Sequence, residues 1–165
     1  MAWEFAMTKA GPPKCNIVEP DAAADFEKRG IERLRYRGMR ITRPRTMVLR
    51  VLGETRRPLG AYQIRDRVRE RGGSIDVVSV YRILAALEDV GLAHRVGGTD
   101  GCVACTASRS GPHPAEYLIC ADCGCVEEVP IPQPALAEIG MAASRLGFQG
   151  RSTRIEVVGV CSHCR

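Results

Sequence analysis

Eight cysteines and three histidines are the residues of this 165-residue chain whose types and spacing could do chemistry. Four of the cysteines form two Cys-x-x-Cys pairs, Cys120-Ala121-Asp122-Cys123 and Cys161-Ser162-His163-Cys164. A two-residue gap lets one turn present both thiolates to a single ion, and zinc accepts four thiolates in a tetrahedron. Gly124, directly after the first pair, suits such a turn because glycine reaches backbone conformations closed to other residues. An ion held by all four would tie the second pair to the first and contribute directly to folding. A single pair would equally fit a thioredoxin-like redox motif or a disulfide; two pairs favour structural zinc. His163, between two ligands, is expected to point away.

The expected compartment supports that choice. No apolar run approaches the ~20 residues needed to span a bilayer. The first fifteen residues hold Trp3 and Phe5 but no basic start followed by an apolar stretch, so they do not read as a secretory signal. A cytoplasmic location follows as the expectation, and in a reducing compartment paired cysteines are more often metal ligands than disulfides. No membrane and no small organic substrate is expected as a partner.

Charge is unevenly distributed. Residues 1–95 hold 19 of the 24 Lys and Arg against 12 acids, whereas the remainder holds 5 against 7. A basic front half joined to a mildly acidic back half suggests a polyanion as the partner of the front half alone.

The elements that must position these groups follow from periodicity. Residues 1–20, with Gly11, Pro12, Pro13 and Pro20, read as a flexible tail. Asp21 to Arg37 shows a helical pattern through Phe26, Ile31 and Leu34. Thr42 followed by Pro44 marks a helix start, with the threonine side chain expected to cap; that helix runs to about Thr55. A further helix spans Ala61 to Arg71. From Asp76 to Gly91, Val80, Ile83, Leu84, Leu87 and Val90 share one face, with Val78, Arg82 and Ala85 opposite. Leu92–Val96 and Cys102–Thr106 flank a glycine-rich turn and read as a β-hairpin. Helices followed by a hairpin give the order of a winged helix-turn-helix. Residues 108–115 form a hinge. Strands at Tyr117–Ile119, Val126–Val129 and Arg154–Val160, with a helix from about Ala135 to Leu146, complete a small α/β unit. The fold class is therefore α+β: a winged helix-turn-helix, the expected DNA-binding domain, over 21–107 and a small C-terminal α/β domain over 116–165, to which a family resemblance assigns dimerisation.

Four segments resemble the ferric uptake regulator family, and its zinc uptake regulator branch most. They are Thr42-Arg43-Pro44-Arg45, Val80-Tyr81-Arg82-Ile83-Leu84, Leu118-Ile119-Cys120-Ala121-Asp122-Cys123-Gly124 and the Cys161/Cys164 pair. The resemblance covers about Ile31 to Cys164. It implies homodimers, a winged-helix reader and inverted-repeat operator DNA controlling metal uptake genes. The hinge, Ser110-Gly111-Pro112-His113, keeps only the last histidine of a segment that is usually rich in histidine and aspartate, which argues against the family's additional histidine-rich site.

His94, Cys105, His113 and Glu128 match the positions that zinc uptake regulators use for a regulatory ion. One thiolate, two imidazoles and one carboxylate suit tetrahedral zinc, whereas six-coordinate iron or manganese would want more oxygen and nitrogen. The expected cofactor is therefore zinc, two ions per subunit. His94 and Cys105 lie on the two hairpin strands, His113 in the hinge and Glu128 in the second domain, so one ion would bridge all three parts. Cys15, Cys102 and Cys125 carry no assigned role, and Cys102 or Cys125 could stand in for Cys105 or Glu128. For DNA, Arg82 is the candidate base reader, able to donate two hydrogen bonds to a guanine edge. Tyr62 resembles a position that touches thymine methyls or phosphate. Ser79, Tyr81, Arg43, Arg45 and Arg65 are candidate phosphate contacts. Sensing of another metal or of peroxide remains open. An enzyme is disfavoured, because no glycine-rich phosphate loop or nucleophile elbow appears.

Overall fold

The computed structural model describes residues 14–16, 18–107 and 113–165. Four helices, α1 (Pro20–Tyr36), α2 (Arg43–Gly53), α3 (Ala61–Glu70) and α4 (Val77–Asp89), precede a short hairpin of β1 (Ala93–Arg95) and β2 (Cys102–Ala104). A second unit follows with β3 (Ala115–Cys120), β4 (Val126–Val129), α5 (Gln133–Arg145) and β5 (Arg154–Gly159). The fold is α+β, a winged helix-turn-helix followed by a small α/β unit.

The helical part is held by one apolar core. Phe26 and Leu34 of α1, Val48, Leu49, Val51 and Leu52 of α2, Ile64 and Val68 of α3, and Val80, Leu84 and Leu87 of α4 are all buried. These are the residues that recur at helical spacing, so burying one face of each helix selects the packing. Asp76 caps α4, accepting from the Ser79 N–H at 2.9 Å. Gly91, at φ 69°, ends that helix in the left-handed conformation that favours glycine. Thr42 stands at the N-cap of α2, but its side chain makes no capping hydrogen bond. Its carbonyl instead accepts from the Thr46 N–H and hydroxyl, so proline at the start of the helix acts without the expected cap.

The hairpin is shorter than its apolar pattern suggests. Register pairs His94 with Val103 and Ala93 with Ala104. Cys105 follows β2, its N–H donating to Leu92 O at 2.9 Å. Alternation therefore puts His94, Val103 and Cys105 on one face. Cys102 points the other way, is buried with the helical core and donates to Glu88.

In the second unit the strand order is β4-β3-β5, with β3–β4 antiparallel and β3–β5 parallel. The parallel pair requires a crossover, which α5 supplies. The wing docks on this sheet: Val96 and Val103 pack with Tyr117 and Val126, and Gly97 N–H donates to Glu156 at 2.6 Å.

Two expectations about connections change. Of the tail read over residues 1–20, Lys14–Asn16 form a 3-10 turn and α1 begins at Pro20. Asn16 Oδ1 accepts from Thr55 Oγ1 at 2.8 Å and from Arg56 N–H at 3.2 Å, contacts that composition does not announce. Residues 1–13 and 17 lie outside the described residues. So do 108–112, most of the hinge expected over 108–115, and Ala115 already belongs to β3.

Candidate metal centres

Parallel pairing of β3 with β5 sets Cys120 opposite Gly159, so both Cys-x-x-Cys segments leave the sheet at the same end. The first turns tightly: Gly124, at φ 70°, donates its N–H to Cys120 O at 2.9 Å. The second is closed by Cys164 N–H on Cys161 O at 3.0 Å. The sulfurs of Cys120, Cys123, Cys161 and Cys164 all lie within 4.8 Å of one another. Cys123 and Cys161 are 3.8 Å apart, close to the edge of about 3.8 Å that four zinc–sulfur bonds of about 2.3 Å define. Burial pushes the Cys120 thiol up, but backbone N–H groups of Cys123, Cys161 and Asp122 outweigh it and bring it down to about 6. The Cys161 N–H stands 3.3 Å from that sulfur. A knuckle already built to hold a thiolate fits a thiophilic cation.

The second centre lies where the wing meets the sheet. One ligand atom from each of His94, Cys105, His113 and Glu128 lies within 4.8 Å of the others. His113 Nε2 is 2.8 Å from Glu128 Oε1 and 3.6 Å from Cys105 Sγ. Cys105 Sγ is 3.8 Å and His94 Nε2 3.7 Å from the same carboxylate oxygen. The two imidazoles meet edge to face with centroids 5.0 Å apart. His94 Nε2 is buried without a hydrogen-bond partner, a state that costs free energy unless something else uses its lone pair.

The electrostatics fit a dication. Burial, followed by His113 and Arg154, brings His94 down to about 4 despite the opposing pull of Glu128, so its ring is neutral at pH 7. Burial tends to raise Glu128, but hydrogen bonds from His113 and the Thr106 N–H, with His94 nearby, hold its carboxyl below the usual range. Burial first, then Glu128, pushes the Cys105 thiol up to about 12. A divalent ion binding the carboxylate and displacing that thiol proton would leave the buried cluster neutral, the cheapest charge state inside a protein. These residues fit zinc.

Of the alternative ligands, Cys102 sits on the opposite face of the hairpin. Cys125 instead joins Cys15 and Cys123 in a third group of thiols beside the knuckle. Two supporting groups escaped the sequence reading. The Thr106 N–H holds Glu128 Oε2 at 2.8 Å, and the fully buried Tyr117 ring lies under His94 at a centroid distance of 5.7 Å. Tyr117 sits in a strand of recognisable alternation, but nothing in the sequence says which face carries the centre.

The residues proposed for DNA all belong to helices α2, α3 and α4. Arg82 and Tyr81 are exposed on α4, and Tyr62 is exposed on α3 with the Arg65 guanidinium 5.3 Å from its ring. Arg65 also pairs with Asp66, Arg45 donates to Arg40 O, and Arg43 is exposed at the start of α2. Ser79 gives its hydroxyl to Asp76 at 2.6 Å.

A winged helix-turn-helix with clusters of thiolate, imidazole and carboxylate at its wing and at its distal knuckle defines a class of protein built around candidate metal centres. The chain matches the ferric uptake regulator family over residues 36–158, and it belongs to that family. The zinc uptake regulation protein of Escherichia coli (strain K12) is 30% identical over 128 residues, covering 78% of this chain and 74% of that protein. The ferric uptake regulation protein of Legionella pneumophila is 29% identical over 140 residues, covering 81% and 97%. Among solved structures, a zinc uptake regulator complexed with zinc and DNA matches with a TM-score of 0.78 at 27% identity, covering 86% and 94%. The holo form of XcZur matches with a TM-score of 0.76 at 31% identity, covering 85% and 96%. Its apo form, at 32% identity, matches with only 0.51, covering 87% and 98%. The arrangement of this chain thus resembles that of the holo structure.

Proposed function

We propose that this protein is a zinc-responsive transcriptional repressor of zinc uptake genes, gripping operator DNA as a dimer when its wing centre is filled. The observation that carries the reading is the convergence of His94, Cys105, His113 and Glu128 from wing, hinge and sheet, with His94 Nε2 buried and unsatisfied. Residues 21–107 are the reader, 108–115 the hinge and 116–165 the dimerisation domain. The knuckle holds a permanent ion through Cys120, Cys123, Cys161 and Cys164, and the wing centre an exchangeable one, two zinc ions per subunit in this reading. Zinc, when bound, supplies a Lewis-acid anchor for all four wing ligands. The chain's own part is to fix reader against sheet, so that ligand and DNA favour the same arrangement. Similarity to zinc-bound and DNA-bound regulators supports this.

Arg82 reads a base edge, Tyr62 touches thymine methyls or phosphate, and Tyr81, Ser79, Arg43, Arg45 and Arg65 position the reader on phosphates. The dimer forms through the C-terminal unit, where Ile139 and Met141 of α5 and Val157 and Val158 of β5 are exposed. A symmetric dimer implies an inverted-repeat operator.

The test is a zinc titration of protein stripped of weakly held metal, following operator binding and ions per subunit together. One chelator-resistant ion and one whose loss abolishes binding are expected; operator binding indifferent to zinc would end the reading. Relatives named for ferric uptake match comparably, so the competing reading is another metal. Cobalt substitution separates the two, because a tetrahedral thiolate site gives intense charge-transfer bands that an oxygen/nitrogen octahedron lacks.

A further inference from the structure

Two thiols beside the knuckle have no part in that function. Cys15 Sγ lies 2.9 Å from Cys125 Sγ and 3.2 Å from Cys123 Sγ. Cys123 is in turn 3.8 Å from Cys161, so one sulfur belongs to both groups. Cys15 is brought there by built contacts. Its neighbour Asn16 accepts from Thr55 and Arg56, and Arg56 O accepts from Val126 N–H at 2.9 Å, next to Cys125. A cleft of about 450 Å³ opens beside the group, with Cys15, Cys120, Cys125, Cys161 and His163 in its lining.

We propose that Cys15 and Cys125, with Cys123 as a shared bridging thiolate, hold a second divalent d10 cation next to the knuckle ion, making a two-metal, six-thiolate cluster. The inference rests on the knuckle itself binding metal. Its charge balance is favourable: one dication on four thiolates carries a net charge of two minus, and two dications on six thiolates carry the same. The extra ion therefore ionises two more cysteines without adding charge to a half-buried site. As the new bonds form, the Cys15 and Cys125 thiols each release a proton to solvent, and no electron is transferred. All-sulfur donors select zinc or cadmium over magnesium, calcium or manganese. Sulfurs that share a tetrahedral ion stand about 3.8 Å apart, so the ion must spread the Cys15–Cys125 contact by about 0.9 Å. The partly exposed Cys15 side chain can rotate to do so. With three protein ligands, the fourth position is left for the cleft, the arrangement of an exchangeable site. The bound ion would fasten residues 14–16, and through Asn16 the Thr55–Arg56 loop, to the start of β4. That link between helices and sheet is independent of the wing.

Cadmium loading of the reduced full-length protein, read by native mass spectrometry and NMR of the spin-active cadmium isotope, tests this. The parent is expected to hold one more ion per subunit than either Cys15→Ser or Cys125→Ser, both of which keep the chelator-resistant ion. Two cadmium resonances coupled through a shared sulfur should lose their coupling in both variants. Equal stoichiometry in parent and variants overturns the proposal. So does a parent two hydrogens lighter with Cys15 joined to Cys125, which would make the pair a disulfide. Loss of the chelator-resistant ion in Cys15→Ser also overturns it, by making Cys15 a knuckle ligand. Failure of the knuckle reading shows separately, as a Cys161→Ser variant that still retains that ion.

Discussion

The knuckle and the wing centre use overlapping chemistry but are assembled in opposite ways. At the knuckle, four like ligands come from two short turns that leave adjacent, directly paired strands at the same end. At the wing, four ligands come from the hairpin, the segment before β3, and β4. The first set can be brought together by one small sheet. The second exists only while the hairpin lies on that sheet, held by Val96, Val103, Tyr117 and Val126 and by the Gly97–Glu156 hydrogen bond. An ion at a locally assembled site stabilises a fold; an ion at a distributed site stabilises an arrangement. That difference is the physical basis for assigning permanence to one and signalling to the other.

The largest effect should come from breaking the local site. Cys161→Ser is expected to unfold the C-terminal unit and abolish the dimer, since structural zinc contributes folding free energy outright. Sedimentation together with metal content measures this, and a stable dimer lacking the resistant ion would erase the distinction between the centres. Breaking the distributed site should do less to the fold and more to the response. Cys105→Ser should stay folded and dimeric while losing the zinc-dependent gain in operator affinity, about 5- to 150-fold for a typical coupling. Zinc-dependent repression surviving in that variant would remove Cys105 from the switch.

Outside both centres, Arg82→Ala should weaken operator binding by roughly 1–3 kcal/mol, the range of one good bidentate base contact. Zinc binding should be unchanged, and unaltered mobility shifts would refute the base-reading role. Proton competition sharpens the comparison at the wing. With the Cys105 thiol pushed up to about 12, filling the site at neutral pH must expel its proton. Raising pH therefore favours filling, by about tenfold per unit for each proton displaced. His94, held down to about 4, adds no proton to that release near neutrality. Competition with a coloured chelator across pH reads the slope, and a flat profile would show that no thiol is ionised on binding. The smallest change should follow Gly72→Ala. At φ 71°, with nothing within 4 Å of an added Cβ, only backbone strain is introduced. A cost of about 1 kcal/mol should lower the melting temperature by a few degrees and leave both centres' metal affinities alone.

The two centres also differ in how far the sequence discloses them. Cys120, Cys123, Cys161 and Cys164 announce themselves because the reach of a tight turn is written in a two-residue gap. The helices were equally legible: burial of one face forces the spacing of Val80, Ile83, Leu84 and Leu87, and Gly91 marks the stop. His94, Cys105, His113 and Glu128 have no mutual spacing that chemistry requires, so only the resemblance to a family singled them out. Cys15 gave no signal, since its partner is 110 residues away and its turn is held by Asn16 rather than by any periodicity.

By itself, then, the chain specified what depends on neighbours along it: helix faces and their stops, the knuckle pairs, and the basic front half against the mildly acidic back half. Tertiary structure alone decided which face of the hairpin carries the wing centre, that Cys102 turns inward to Glu88 while Cys105 turns toward Glu128, and that Cys15 joins the knuckle. Those outcomes depend on strand register and on one unit packing against another. A shift of one residue in a strand moves every side chain to the opposite face, and no local pattern records where the two surfaces meet.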